Sequence, residues 1–115
     1  MLPIRELQSK LLRQRRALLR EVAYLEKDLL WLETDSESEL VERAQDEVFI
    51  RLLSRLDDRQ KAEIEEIDRA LGKIANGHYG HCETCGKPIP LGRLEALPMA
   101  ASCLPCTEAR ERLPV

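Results

Sequence analysis

The sequence predicts a mainly α-helical fold: an antiparallel coiled-coil helical hairpin, then a small four-cysteine finger and a short C-terminal helix. Three observations support this. Apolar residues recur at helical spacing over residues 4–74, only 3% of the 115 residues are aromatic, and all four cysteines lie within residues 82–106. A chain with so few large rings fills a thick core poorly, whereas leucines at helical spacing form a narrow seam between long helices.

The first arm of the hairpin is predicted over residues 4–33, which contain neither glycine nor proline. Its apolar residues recur at three- and four-residue steps, with Gln14 in one gap, and Pro3 stands where a first-turn proline is tolerated. The seam consists of Ile4, Leu7, Leu11, Leu18, Val22, Leu25, Leu29 and Leu32. This pattern predicts one long amphipathic helix.

A second arm follows a polar break at "TDSESE". Ser36 and Glu39 have the spacing of a capping box, and Asn76–Gly77 supplies a C-terminal stop. The second seam consists of Val41, Val48, Leu52, Leu56, Ile64, Ile67, Leu71 and Ile74. A short turn between two arms of about 45–55 Å predicts an antiparallel hairpin, with part of a three- or four-helix bundle as the alternative. We therefore divide the chain into residues 1–76, with the hairpin tip at about 34–42, and residues 77–115.

The cysteines form two CxxC pairs, Cys82–Cys85 and Cys103–Cys106, with seventeen residues between the pairs. Four thiolates at this spacing predict one tetrahedral Zn²⁺, which would be structural because such a site leaves no position for water. Neither pair has the strand-to-helix context of a redox CxxC motif. His78 and His81 flank the first pair and are predicted to be surface residues. Residues 106–113 are predicted to form the short C-terminal helix.

Charge and hydropathy exclude several classes of function. The net charge is −3, from 18 basic and 21 acidic residues, which argues against a protein that holds DNA through its phosphates. A finger with so few aromatic residues is also a poor platform for single-stranded nucleic acid. No apolar stretch of signal-peptide or membrane-spanning length occurs, so we expect a cytoplasmic protein. No catalytic constellation is recognisable, so we expect no enzyme.

The stretch "NGHYGHCETCGKPIPLGRLEALPMAASCLPC" resembles the DksA/TraR family of bacterial transcription regulators with a four-cysteine zinc finger. The likeness is most specific over residues 77–112. It implies a monomer that binds RNA polymerase rather than DNA, with the coiled coil inserted into the secondary channel and its acidic tip near the catalytic Mg²⁺. A zinc-stabilised coiled-coil module that binds itself or another protein is the alternative.

The resemblance also assigns candidate contact residues. The family's DxxDxA tip corresponds to "ELVERA", which places Glu39, Glu42 and Ala44 at the three pattern positions. Both aspartates are thus replaced by glutamates, which keep the charge one methylene further out. Arg55 and Arg59 match shaft arginines that help to grip the polymerase.

A second departure concerns the alarmone ppGpp. In DksA, basic residues on the returning helix and in the finger help to form a ppGpp site with the polymerase. The matching positions here are Glu66, Leu97 and Thr107, none of which is a cation. We therefore expect ppGpp synergy to be weak or absent.

Overall fold

The computed structural model describes residues 2–34 and 47–112. The described ranges contain six helices and no β-strand, apart from an isolated antiparallel bridge between His81 and Pro88. The helices are α1 (Ile4–Glu21), α2 (Glu26–Thr34), α3 (Glu47–Arg55), α4 (Asp58–Asn76), α5 (Leu91–Ala96) and α6 (Leu104–Glu111). The predicted mainly helical class is confirmed. No helix within these ranges combines the length and apolar content of a membrane span.

The first arm is not the single helix that its seam predicts, because α1 ends at Glu21 and α2 begins at Glu26. No glycine or proline causes the break; Asp28 caps the start of α2 by accepting from the Leu25 N–H at 3.3 Å, and contacts with the second arm hold the intervening segment. The Arg55 guanidinium donates a hydrogen bond to the Val22 carbonyl oxygen at 3.0 Å and lies 4.1 Å from the Tyr24 ring centroid. Arg55 therefore satisfies a carbonyl that the end of α1 leaves free and stacks on the intervening segment.

The second arm is also divided, between α3 and α4 at Leu56 and Asp57. Here the cause is a reciprocal capping box. The Gln60 backbone N–H donates to Asp57 Oδ1 at 2.8 Å, and the Asp57 N–H donates to Gln60 Oε1 at 2.9 Å. These two bonds satisfy donors that a helix start otherwise leaves free, so a new helix begins at Asp58.

The chain forms two compact units: a helical unit, Leu12–Glu65, and a finger unit, Met1–Leu11 with Glu66–Val115. The helical unit has a core of its own, with Val22, Val48 and other half-buried residues packed around it. The core comprises Leu19, Trp31, Leu32, Phe49, Leu52, Leu56 and Ile64.

Within the helical unit the helices pair in an antiparallel register but bend at the two breaks. Asp28 of α2 bonds to α3, and Gln60 of α4 donates to Glu21 of α1 at 2.9 Å. In a straight hairpin with this register, residue 15 would lie opposite about residue 66. Residue 49 would then lie about 25 Å from residue 15 along the hairpin axis. The Arg15 guanidinium instead lies 4.8 Å from the Phe49 ring centroid. The α2–α3 pair therefore folds back against α1.

In the finger unit, the start of α1 packs with the cysteine-rich segment. Leu7 and Leu11 are buried, as is Leu94 of α5, and Lys10 Nζ donates to the Glu95 carbonyl oxygen at 3.2 Å. Gly80 has a φ of +95°, and a Cβ there would lie 2.5 Å from Leu2 Cδ1. Glycine is needed at this position because an L side chain rarely adopts that backbone conformation.

Candidate metal centre

The four cysteines converge on one point. The Sγ atoms of Cys82, Cys85, Cys103 and Cys106 all lie within 4.8 Å of one another, and the Cys85 and Cys103 sulfurs are 3.8 Å apart. A tetrahedral Zn²⁺ with Zn–S bonds of about 2.3 Å requires sulfurs about 3.8 Å apart, so the cluster fits this ion. Zinc bound there would cross-link the two CxxC pairs.

The first CxxC pair is shaped by a tight turn. The Gly86 N–H donates to the Cys82 carbonyl oxygen at 2.9 Å, with Gly86 at a φ of +75°. The Cys85 N–H points at Cys82 Sγ at 3.5 Å, and the Cys82 N–H donates to the Lys87 carbonyl oxygen at 2.9 Å. These bonds hold both sulfurs of the pair on one side of the turn.

The second pair opens α6. Cys103 is its N-cap residue, Pro105 lies in the first turn, and the Thr107 N–H donates to the Cys103 carbonyl oxygen at 3.0 Å. The helix thus starts at Leu104, two residues before the predicted start, because proline is tolerated there. The Glu83 N–H donates to the Ala101 carbonyl oxygen at 2.8 Å and ties the two CxxC segments together.

The thiols differ strongly in acidity. Hydrogen bonds from the backbone N–H groups of Cys103 and Cys85 lower the pKa of Cys82 to about 5. A hydrogen bond with the Cys103 side chain, together with burial, raises the pKa of Cys106 to about 12. Without a cation the four groups cannot all ionise, so the cluster is suited to a divalent ion that stabilises four thiolates. His78 and His81 are exposed and are not members of the cluster.

Beside the metal cluster lies a cavity of about 290 Å³. Glu66, Leu97 and Thr107, the three positions matched to the ppGpp site, all line it. The sequence prediction missed four cationic residues that line it too: Arg69, Lys73, Arg93 and Arg110. They belong to three different helices, so no local sequence motif predicts that they lie together.

Three of these cations are already engaged, since Arg110 Nη2 donates to Ser102 Oγ at 3.4 Å. Lys73 forms an ion pair with Glu83, which lowers the pKa of Glu83. Arg93 Nε donates to the Ser102 carbonyl oxygen at 3.0 Å, and its Nη2 donates to Thr107 Oγ1 at 3.2 Å. The carboxylates of Glu66 and Glu83 further reduce the positive potential of the cavity.

The structure describes only some of the predicted polymerase-contact residues. Glu39, Glu42 and Ala44 lie outside the described residues, as does the predicted tip from residue 35 onwards. Arg59 is exposed on α4. Arg55 is largely covered and donates a 2.8 Å hydrogen bond to Asp28. Sequence reasoning missed the role of Asp28, although an aspartate three residues after the seam leucine Leu25 was a visible signal.

Comparisons with known proteins agree with the sequence resemblance. Residues 77–112 match the family described as prokaryotic dksA/traR C4-type zinc finger. The chain is 40% identical, over 90% of its length and 72% of the relative's, to "RNA polymerase-binding transcription factor DksA" of Caulobacter vibrioides. The protein of the same name from Escherichia coli strain K12 is 39% identical, over 63% of this chain and 50% of that protein.

A solved structure is also similar. Transcription factor DksA2 from Pseudomonas aeruginosa matches with a TM-score of 0.60 and 31% identity, covering 95% of this chain and 83% of that one. The likeness therefore includes the helical arms as well as the finger.

Proposed function

Because this chain belongs to the DksA/TraR family of C4-type zinc finger proteins, we propose that it binds RNA polymerase and regulates transcription without catalysing a reaction. The observation that carries the proposal is the alignment with the Caulobacter DksA, which spans 90% of this chain. A relative that matched the finger alone would support only a shared metal site. The proposal places the protein in the cytoplasm, as a monomer without sequence-specific DNA contacts.

The two units have different roles in the proposed mechanism. Zinc stabilises the finger unit, and the hairpin enters the secondary channel so that Glu39 and Glu42 approach the catalytic Mg²⁺, with Ala44 completing the tip pattern. Carboxylates at that position could meet the metal or nearby basic groups. Arg59 is exposed and free to face the polymerase. Arg55 would exchange its bond with Asp28 for a contact with the partner.

We also propose that ppGpp adds little to the activity. Glu66 carries a negative charge into the cavity, and Lys73 and Arg93 already have partners within the finger unit. A pyrophosphate would have to displace those partners and lie near two carboxylates.

Binding to purified core polymerase tests the main proposal. We expect binding at micromolar concentration in moderate salt, with displacement by other secondary-channel factors. Absence of binding under these conditions would overturn the proposal. Sedimentation of the free protein separates the alternative function, since a tight dimer would favour a self-associating interaction module.

The tip mechanism needs its own experiment. Glu42→Ala should change multi-round transcription from a ribosomal promoter while leaving core binding largely intact. Glu65→Ala is the matched control, because Glu65 is an exposed glutamate on α4 far along the chain from the tip. Equal loss of binding and regulation in the Glu42 variant would argue against a role confined to the tip.

A further inference from the structure

The leucine seam of the sequence and the core of the helical unit use different residues. Leu25 and Leu29 belong to the seam, yet their exposed fractions are 39% and 37%. Trp31 and Phe49 lie off the seam, yet each is only 6% exposed. The folded-back arrangement therefore buries two aromatic side chains and leaves two seam leucines in contact with water.

If the arms were straight, the seam leucines would be buried and the two aromatic side chains would be exposed. In a continuous coiled coil, seam residues face the opposite helix, so Leu25 and Leu29 would be covered. Residues next to the seam face outward, so Phe49 would leave Arg15, and Trp31 would lose its place in the core. We infer that the helical unit has two packings, the bent one described here and an extended one, related by rotation of the α2–α3 pair about residues 22–25 and 56–57.

The contacts inside each helix pair permit such a rotation. Asp28 and Arg55 link α2 to α3, whereas Glu21 and Gln60 link α1 to α4. Both links fit the register of a straight hairpin and can be kept. The contact of Arg15 with Phe49, by contrast, joins α1 to α3 and exists only in the bent packing. Helical hydrogen bonding is already interrupted at residues 22–25 and 56–57, so a rotation at these two breaks disrupts few helical hydrogen bonds.

The extended packing would move the far end of the α2–α3 pair outward along the direction of α1 and α4. This consequence rests on the proposed function: a hairpin bent in the free protein would have to straighten to reach deep into a channel. The polymerase would then select a packing that the free protein holds as a minor population.

A distance measurement on the free protein tests the inference without polymerase. Spin labels are attached at Ala17 and Ile50, which are both exposed, through azide-bearing amino acids so that the cysteines stay with zinc. We expect a short major separation in the electron–electron resonance distribution. The extended packing would appear as a second, longer separation, because it places the two labelled positions about 20 Å apart along the hairpin axis.

Two opposing sets of variants decide between one packing and two. Phe49→Ala should raise the longer population at least roughly tenfold, because it removes core volume only from the bent packing. Leu25→Gln with Leu29→Gln should abolish that population in the Phe49→Ala background, since both leucines are buried only when the arms are straight. Should Phe49→Ala lose its helical circular dichroism, Phe49→Leu is used instead, with a smaller rise expected.

The outcomes are distinct. A single short separation in the folded Phe49 variant, or a longer population that persists without the two leucines, overturns the inference. Adding core polymerase to the labelled wild type should make the longer separation dominant. A bound complex that keeps the short separation would contradict the two-packing mechanism alone, whereas absence of binding would contradict the proposed function and leave the result on the free protein standing.

Discussion

Asp28 and Arg55 form an ion pair inside the helical unit, with Arg55 Nη1 2.8 Å from Asp28 Oδ2. Arg51 donates to the other carboxylate oxygen, and the Leu25 backbone N–H donates to Oδ2 at 3.3 Å. The Asp28 side chain is completely buried. Burial raises its pKa, but the hydrogen bonds from Arg51 and Arg55 outweigh that effect and lower the pKa to about 2. The Asp28 carboxylate thus links α2 to α3 and caps the start of α2.

We expect the stability of the helical unit to depend on pH through Asp28. Its pKa is lower in the folded chain than the ordinary value of 3.8, so its contribution is complete above about pH 4 and is lost as the pH falls towards 2. The contribution is on the order of 2 kcal/mol. Urea unfolding followed by the fluorescence of Trp31, the single tryptophan, measures it.

Asp28→Asn isolates this contribution. The variant should be less stable than the wild type by roughly 2–4 kcal/mol at pH 7, because two arginines lose their anionic partner. The difference should shrink as the pH approaches 2. Asp58→Asn, at an exposed position, is the control and should change little. A difference between the wild type and Asp28→Asn that is constant with pH would contradict the assignment.

The capping box between α3 and α4 gives a second prediction. Asp57→Ala removes the acceptor for the Gln60 N–H and should lower the free energy of unfolding by about 1 kcal/mol. Asp58→Ala, one residue further along and already inside α4, should cost clearly less. Thermal unfolding of the two variants, side by side, compares them. Equal costs would show that Asp57 acts through general charge at the helix start rather than as a cap.

The breaks between α1 and α2 and between α3 and α4 show which parts of the fold could be predicted from the sequence. Asp57 and Gln60 have capping-box spacing, so the break after α3 was visible locally, although the continuing seam suggested one helix. The break at residues 22–25 was harder to predict: Asp28 caps Leu25 locally, but the break also depends on Arg55, some thirty residues away. The zinc cluster was predicted because CxxC spacing is local. The cavity cations were not, because Arg69, Arg93 and Arg110 meet only through the tertiary fold.

Gly80 provides a third prediction. Gly80→Ala should destabilise the finger unit by about 1–3 kcal/mol, because alanine strains a backbone with a φ of +95° and its Cβ meets Leu2. Gly72→Ala is the matched control: it lies inside α4 with open space around it, and should stabilise by about 0.5–1 kcal/mol. Thermal unfolding with zinc in excess compares the two. Equal effects of the same sign would contradict this reading of Gly80.

Removal of zinc should affect the two units differently. The metal contributes on the order of 10 kcal/mol to folding in sites of this type, more than the small finger unit could replace. Amide exchange at buried Leu94 should therefore become fast after chelation, while Trp31 emission stays unchanged because the helical unit has its own core. Added Zn²⁺ should restore protection and Mg²⁺ should not, since Mg²⁺ prefers oxygen ligands. Parallel loss of both signals would contradict this independence.

The last prediction concerns Glu66 and rests on the proposed function. If this carboxylate repels a pyrophosphate from the cavity, Glu66→Lys should create a ppGpp response in transcription assays that the wild type lacks or shows weakly. A new charge-assisted contact should lower the ppGpp concentration for half-maximal effect by roughly tenfold. Glu65→Lys adds the same charge at the neighbouring residue, which does not line the cavity, and should leave the response unchanged. Strong ppGpp synergy in the wild type would contradict the prediction, because Arg69 and Arg110 would then suffice to hold the phosphates.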